Sequence, residues 1–181
     1  MIERGDSYDR VAIGFHWLIA ALVLVNLFLG LFHESLLEGL KVMPLHESIG
    51  ITILVLSVAR LAWRLGHKPP HFPDHMAGWE KAFAKVTHAL FYVLMIALPL
   101  SGWLWAGDVT RARPFDWFGL FQVPLIPIGH DLAGTLHEAH ETMGFVMAAL
   151  VVLHVGGALR HHFLLRDRVL ARMLPGARAG R

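Results

Sequence analysis

The stretch HETMGFVMAALVVLH, residues 140–154, decides how this sequence folds. It is apolar after its first three residues and carries a histidine at each end. At 100° per residue, His140 and His154 fall about 40° apart around a helix and roughly 21 Å apart along it. One helix face then presents two imidazoles, one near each edge of a hydrocarbon layer about 30 Å thick. Ionisable side chains at that depth are costly and usually functional. His16 and His46 lie in other apolar stretches at depths that meet them. The chain therefore reads as an all-α membrane protein, a four transmembrane helix bundle with two metal centres stacked across the bilayer, an arrangement suited to electron transfer.

Composition supports this reading. The 181 residues are 55% hydrophobic, with a mean hydropathy of +0.52, and four stretches are long enough to span, at about 11–32, 45–65, 86–106 and 140–163. They make one domain, residues 1–181. The first follows charged residues and has no small-residue cleavage site after it, so it reads as a retained span. Thirteen of the 16 Lys and Arg fall on one side. They comprise Arg4 and Arg10, then Arg60, Arg64, Lys68, Lys81 and Lys85, then Arg160, Arg166, Arg168, Arg172, Arg178 and Arg181. Only Lys41, Arg111 and Arg113 oppose them. The positive-inside rule then puts both termini in the cytoplasm, N-in and C-in. The basic residues flank helices, where they meet anionic lipid and give no reason to invoke nucleic acid.

The absence of cysteine removes thiolate ligation and covalent haem attachment, so any haem is held non-covalently. The connection between the first two spans and the 107–140 connection lie on the outer side, and Pro114, Pro124 and Pro127 argue against a continuous helix in the longer one. The six tryptophans fall mostly near span ends, as an interfacial belt would place them.

Of the 13 histidines, His33, His67, His71, His75 and His130 lie in loops or at span ends and read as solvated. Depth pairs the buried ones: His16 with His154 towards the cytoplasm, His46 with His140 near the outer edge. His137 is rotated away from the His154 face. From His16 the face runs through Ala20, Val23 and Leu27 to Gly30, where a missing side chain leaves room for a flat macrocycle. From His46 it runs through Gly50, Ile53 and Ser57 to Arg60, which either meets a haem propionate or snorkels to lipid phosphate. Gly144 and Met147 continue a small or apolar lining on the fourth span. Metal transport would want acidic or thiol groups along these faces, and the core offers none.

These residues resemble the bacterial cytochrome b561 family of small di-haem inner-membrane proteins. The resemblance rests on Tyr8-Asp9-Arg10 with His16-Trp17, His46 with Gly50 and Arg60, and His88 with Ala97-Leu98-Pro99 and Gly102. It continues through His140-Glu141-Thr142, His154, His161-His162, Asp167, Arg172-Met173 and Pro175. It implies two haem b groups, axial ligands at His16, His46, His140 and His154, and localisation in the bacterial inner membrane. It also implies electron transfer from a periplasmic donor, superoxide in members that look like superoxide oxidases, to ubiquinone. Arg10 and His161 are the expected quinone partners, His161 alternatively being an interfacial histidine. His88 is expected beside a ligand, at a propionate or in the quinone pocket. The outer segments are net acidic, which an anionic donor does not favour. A haem-bearing membrane anchor for a separate dehydrogenase or hydrogenase is the alternative in which catalysis belongs to a partner. A small transporter with proton-relaying histidines is the non-redox one.

Overall fold

A computed structural model of the chain describes residues 8–67, 69–73 and 76–174. Arg4, Lys68, His75, Pro175, Arg178 and Arg181 lie outside the described residues. Four long helices dominate: α1 (Arg10–Phe32), α2 (Met43–Gly66), α3 (Gly78–Ala106) and α4 (His130–Leu159). All four are long and apolar enough to cross a membrane. Many of their large hydrophobic side chains, such as Leu24, Val55, Val93 and Val152, face outward. A soluble bundle would bury such residues; here lipid is the solvent.

Local chemistry sets the helix ends. Asp9 caps α1, its Oδ1 accepting the Ala12 N–H at 2.8 Å. Pro44 lies in the first turn of α2, where its missing N–H costs nothing. Helix α3 starts about eight residues before the expected span. The Glu80 carboxylate accepts the Ala77 N–H at 3.1 Å and the Arg160 guanidinium at 2.7 Å, which carries the helix below the apolar stretch. Helix α4 also starts early, at His130, because all three loop prolines precede it. The expectation of a non-helical connection holds only as far as Gly129. Between Ala106 and His130 a small antiparallel hairpin forms, β1 (Asp116–Trp117) with β2 (Phe121–Gln122).

Helices adjacent in sequence pack together, whereas α1 and α4 touch along only a short front. The bundle is therefore least closed along that edge. Ile19, Val23, Ile49, Ile53, Leu94, Met95, Met147 and Leu150 form a core layer at mid-depth. It lies between the levels of the two histidine pairs. At the end where the chain enters and leaves, here the terminal end, α4 widens into a π-helical turn, Arg160–Leu165, and stops at Arg166 with φ 53°. The following segment folds back: Arg172 donates to the His71 carbonyl at 2.7 Å, and Trp17 donates its indole N–H to the Met173 carbonyl at 2.6 Å. The opposite, hairpin end is closed by the 33–42 and 107–129 connections. Tryptophans find partners at both ends: Trp63 donates to the Asp9 carboxylate at 3.3 Å at the terminal end, and Trp103 to the Pro124 carbonyl at 2.9 Å at the hairpin end.

Asp108 anchors the long connection. Its carboxylate accepts the Thr110 N–H and hydroxyl, both at 2.8 Å, and meets His130 Nδ1 at 2.7 Å. The Thr110 N–H first, then the His130 contact, hold this carboxyl at about 2 instead of 3.8. A depressed carboxylate stabilises the fold above its unfolded value and loses that contribution as pH falls to the folded one. Asp108→Asn is expected to melt below the parent at pH 7, with the gap closing between pH 3.8 and about 2. Thermal melts in detergent across that range check it; a gap independent of pH would mean that the charge is not what anchors the loop.

Candidate functional site

At the hairpin end, His46 of α2 and His140 of α4 face each other, ring centroids 6.0 Å apart and planes at 76°. Each Nδ1 rests on a backbone carbonyl of a neighbouring helix. His46 Nδ1 is 3.1 Å from the Asn26 oxygen, and His140 Nδ1 is 3.0 Å from the Leu98 oxygen and 3.1 Å from Ser101 Oγ. A carbonyl can only accept, so Nδ1 carries the proton and donates in both rings. The lone pair of each neutral imidazole is thereby placed on Nε2.

Both contacts use the same backbone arrangement. Gly30 lies four residues after Asn26 and Gly102 four after Leu98, one helical turn above each acceptor. A Cβ on Gly30 would stand 2.9 Å from His46 Cε1, and one on Gly102 would stand 3.0 Å from His140 Cε1. What the structure puts against Gly30 is thus the His46 ring, in the space assigned above to a flat group. A Cβ on Gly50 would meet Asn26 Nδ2 at an ordinary 3.7 Å, and one on Gly144 would enter open space. Sequence reasoning missed the roles of Asn26, Leu98, Ser101 and Gly102. The Gly30 spacing was a signal for its partner, since Gly102 stands in the same relation to its carbonyl.

At the terminal end, His16 of α1 and His154 of α4 are 6.3 Å apart with planes at 71°. His88 of α3 approaches His154 to 5.7 Å, and Phe91 packs on the same ring at 5.2 Å. Arg60 is within electrostatic range of all three imidazoles. Its guanidinium and that of Arg64 each lie 5.7 Å from the centre of the Tyr92 ring. The structure therefore brings His16, His88, His154 and Arg60 into one cluster, while Arg10 stays exposed at the start of α1. No hydrogen bond or ion pair joins Arg10 to His161. The His161 ring is buried and bonded through Nδ1 to Asp167 Oδ2 at 2.5 Å. The π-helical turn shifts it from the simple seven-residue register with His154.

Among the described residues no three His, Cys, Asp or Glu side chains converge to hold a metal ion. The hairpin end offers the two imidazoles of His46 and His140, and the terminal end those of His16 and His154 with His88 beside them. Two imidazoles that would both hold one metal ion, at about 2 Å each with roughly 1 Å from nitrogen to ring centre, would have centroids no more than about 6 Å apart. Both pairs meet that spacing. Among the described residues, the buried polar atoms Asn26 Oδ1 and Ser57 Oγ have no hydrogen-bond partner. Buried polar groups rarely stay so. Paired neutral imidazoles, space beside Gly144 and unpaired buried polar atoms together fit a haem whose ring supplies the equatorial ligands.

The family described as prokaryotic cytochrome b561 matches residues 7–176. Cytochrome b561 homolog 2 of Escherichia coli is 33% identical over 93% of this chain and 92% of its own length. The probable superoxide oxidase CybB of Yersinia pestis is 32% identical over 95% and 98%. Cytochrome b562 of Cereibacter sphaeroides is 28% identical over 96% and 98%. A four-helix chain with two half-buried imidazole pairs that matches this family over residues 7–176 belongs to it: it is a haem-b-carrying, multi-span membrane cytochrome of the prokaryotic cytochrome b561 family.

Proposed function

We propose that the chain holds two haem b groups, one between His16 and His154 and one between His46 and His140, and passes single electrons from a donor at the hairpin end to a quinone at the terminal end. The observation that carries this reading is the pair of imidazole pairs, 6.3 and 6.0 Å across. They lie at two depths and share α4 as a common support. Bound haem supplies reversible one-electron iron chemistry, its potential set by the axial ligands and their surroundings. The protein's part is to fix those ligands. Carbonyl-anchored Nδ1–H groups hold His46 and His140 in one tautomer, and the mid-depth apolar layer keeps water from between the pairs.

Charge supports the direction. Arg60, Arg64, Lys81, Lys85, Arg160, Arg166, Arg168 and Arg172 lie towards the terminal end, against Lys41, Arg111 and Arg113 at the other. The terminal end is therefore assigned to the cytoplasm, the hairpin end to the periplasm, and the chain to the inner membrane. There, a quinone head group reduced by two electrons also takes up two protons. His161, bonded to Asp167 and next to the Glu80–Arg160 ion pair, is the proposed donor of one, with water at the interface supplying the other. Arg10 at the interface is its proposed partner.

Superoxide is the proposed donor; oxidising two superoxide anions to dioxygen supplies the two electrons that quinone needs. The Yersinia relative's name points the same way. At the hairpin end, Arg113 stands 4.4 Å over the Trp105 ring, which in turn lies 4.0 Å from the His137 ring. This stack fixes a cation close to the His140 turn. That fixed cation is the feature of this end that favours an anion, against the net acidic balance of its segments.

Pyridine haemochrome analysis against protein concentration is expected to give two b-type haems per chain. His46→Ala and His140→Ala should leave one and the same residual spectrum, His16→Ala and His154→Ala the other. Four different spectra, or one haem in the parent, would refute the pairing.

Gly102→Val should cost the haem at the hairpin end, because overpacking of about 1–3 kcal/mol falls on the His140–Leu98 contact, while the other haem stays. Redox titration of the purified variant distinguishes this from general unfolding, in which both would be lost.

His161→Ala is expected to retain both haems and their reduction by superoxide, yet to slow reoxidation by ubiquinone analogues at least tenfold, a loss of about 1.4 kcal/mol or more at that step. Stopped-flow absorbance measures both phases. Unchanged reoxidation would move the quinone elsewhere, and failure of superoxide to reduce the parent would favour a protein donor.

A further inference from the structure

The hairpin between α3 and α4 changes polarity along its length. Asp116 pairs with Gln122 at its open base, and Trp117 pairs with Phe121 at its closed end. The chain turns there through Phe118 and Gly119, with φ 47° and 73°. This closed end is apolar and uncovered: Phe118 is 47%, Leu120 73% and Phe121 58% exposed. A hairpin facing water would carry the opposite arrangement.

Its depth comes from what holds it. Ser48 Oγ accepts the Phe118 N–H at 3.1 Å and lies 3.1 Å from the Asp116 carbonyl, while the Trp117 indole donates to Thr52 Oγ1 at 3.1 Å. Ser48 and Thr52 are two and six residues beyond His46, roughly 3 and 9 Å deeper along α2. A helix of this length is about 36 Å long and overhangs a core of about 30 Å by only a few ångströms at each end. The hairpin is therefore fastened within the apolar layer and not above it. Non-helical backbone is tolerated there only when its polar groups are bonded. That condition is met: besides the Ser48 contacts, Leu120 N–H donates to the Trp117 carbonyl at 2.9 Å and Val123 N–H to the Phe115 carbonyl at 3.0 Å. Below the base, Phe115 and Val123 close against Ala106, and Trp103 packs beside them.

We propose that the hairpin is a re-entrant element whose tip, Phe118, Leu120 and Phe121, is seated among the lipid acyl chains of the leaflet at this end, with Trp117 as its tether to α2. The occupant is lipid because the hairpin's tether points, Ser48 and Thr52, lie between the levels of Leu45 and Val55, both exposed on a helix that the bilayer surrounds. The element seals the α2–α3 groove beside the His46 level against the membrane. It requires only the membrane bundle and is independent of which donor or quinone the chain uses.

The chain has no cysteine, so Leu120→Cys provides a unique labelling position, and Arg111→Cys on the same connection an exposed control. Each full-length, haem-loaded variant is reconstituted in phosphatidylcholine nanodiscs and labelled with a small fluorophore. At position 120, acyl-chain spin-labelled lipid is expected to quench strongly and iodide weakly; at 111 the order reverses. A charged maleimide should react about tenfold more slowly at 120, equivalent to about 1.4 kcal/mol. Iodide access at 120 equal to that at 111 would overturn the proposal. So would protection from both quenchers, which would mean that a second copy or another protein covers the tip. An unchanged visible spectrum shows that the variant is folded, and Phe121→Cys repeats the test at the neighbouring strand.

Discussion

A side chain from one helix can reach a carbonyl in the middle of another only where the residue one turn further along has no side chain in the way. That constraint governs His46 and His140. Gly30 and Gly102 remove the obstructing Cβ, Asn26 and Leu98 offer their carbonyls, and both imidazoles become neutral rings with a fixed tautomer. In a hydrocarbon layer the bond matters twice over. It satisfies a buried donor that water cannot reach, and it aims the remaining nitrogen. The helix separations follow from it, since each glycine lets one helix approach a neighbour's histidine closely.

The terminal-end pair is built differently. Its rings are surrounded by other side chains, with His88 and Phe91 on His154 and the Arg60 guanidinium nearby. Positive charge therefore gathers around one pair and backbone dipoles around the other. Nearby charge and backbone hydrogen bonds both tune what an imidazole pair can hold, so the two pairs offer unlike surroundings.

The two ends of the bundle also close by different means. At the terminal end the chain after α4 returns beneath the helices, tied by Trp17 to Met173 and by Arg172 to His71. At the hairpin end, Asp108 locks the start of the long connection to the start of α4, and Ser48 and Thr52 hold the hairpin. Each closure uses polar groups on the helices to fix a connecting segment that lies outside the four long helices.

The sequence by itself determined the four helices and the pairing of histidines by depth, because apolar length and a period of 3.6 residues are local properties. The interval of 14 residues on α4 was enough to put two imidazoles on one face at two depths. Helix ends were less legible: α3 and α4 extend past their apolar stretches because Glu80 reaches Arg160 and because the prolines stop short of His130. Only the tertiary structure decided what each imidazole rests on, since the Asn26 and Leu98 carbonyls belong to other helices and backbone groups leave no trace in residue type. It also turned Gly30 from a space for a flat group into the opening for His46, and the proline-containing connection into a hairpin fastened at membrane depth. Those features depend on which helices become neighbours, and packing, not periodicity, sets that.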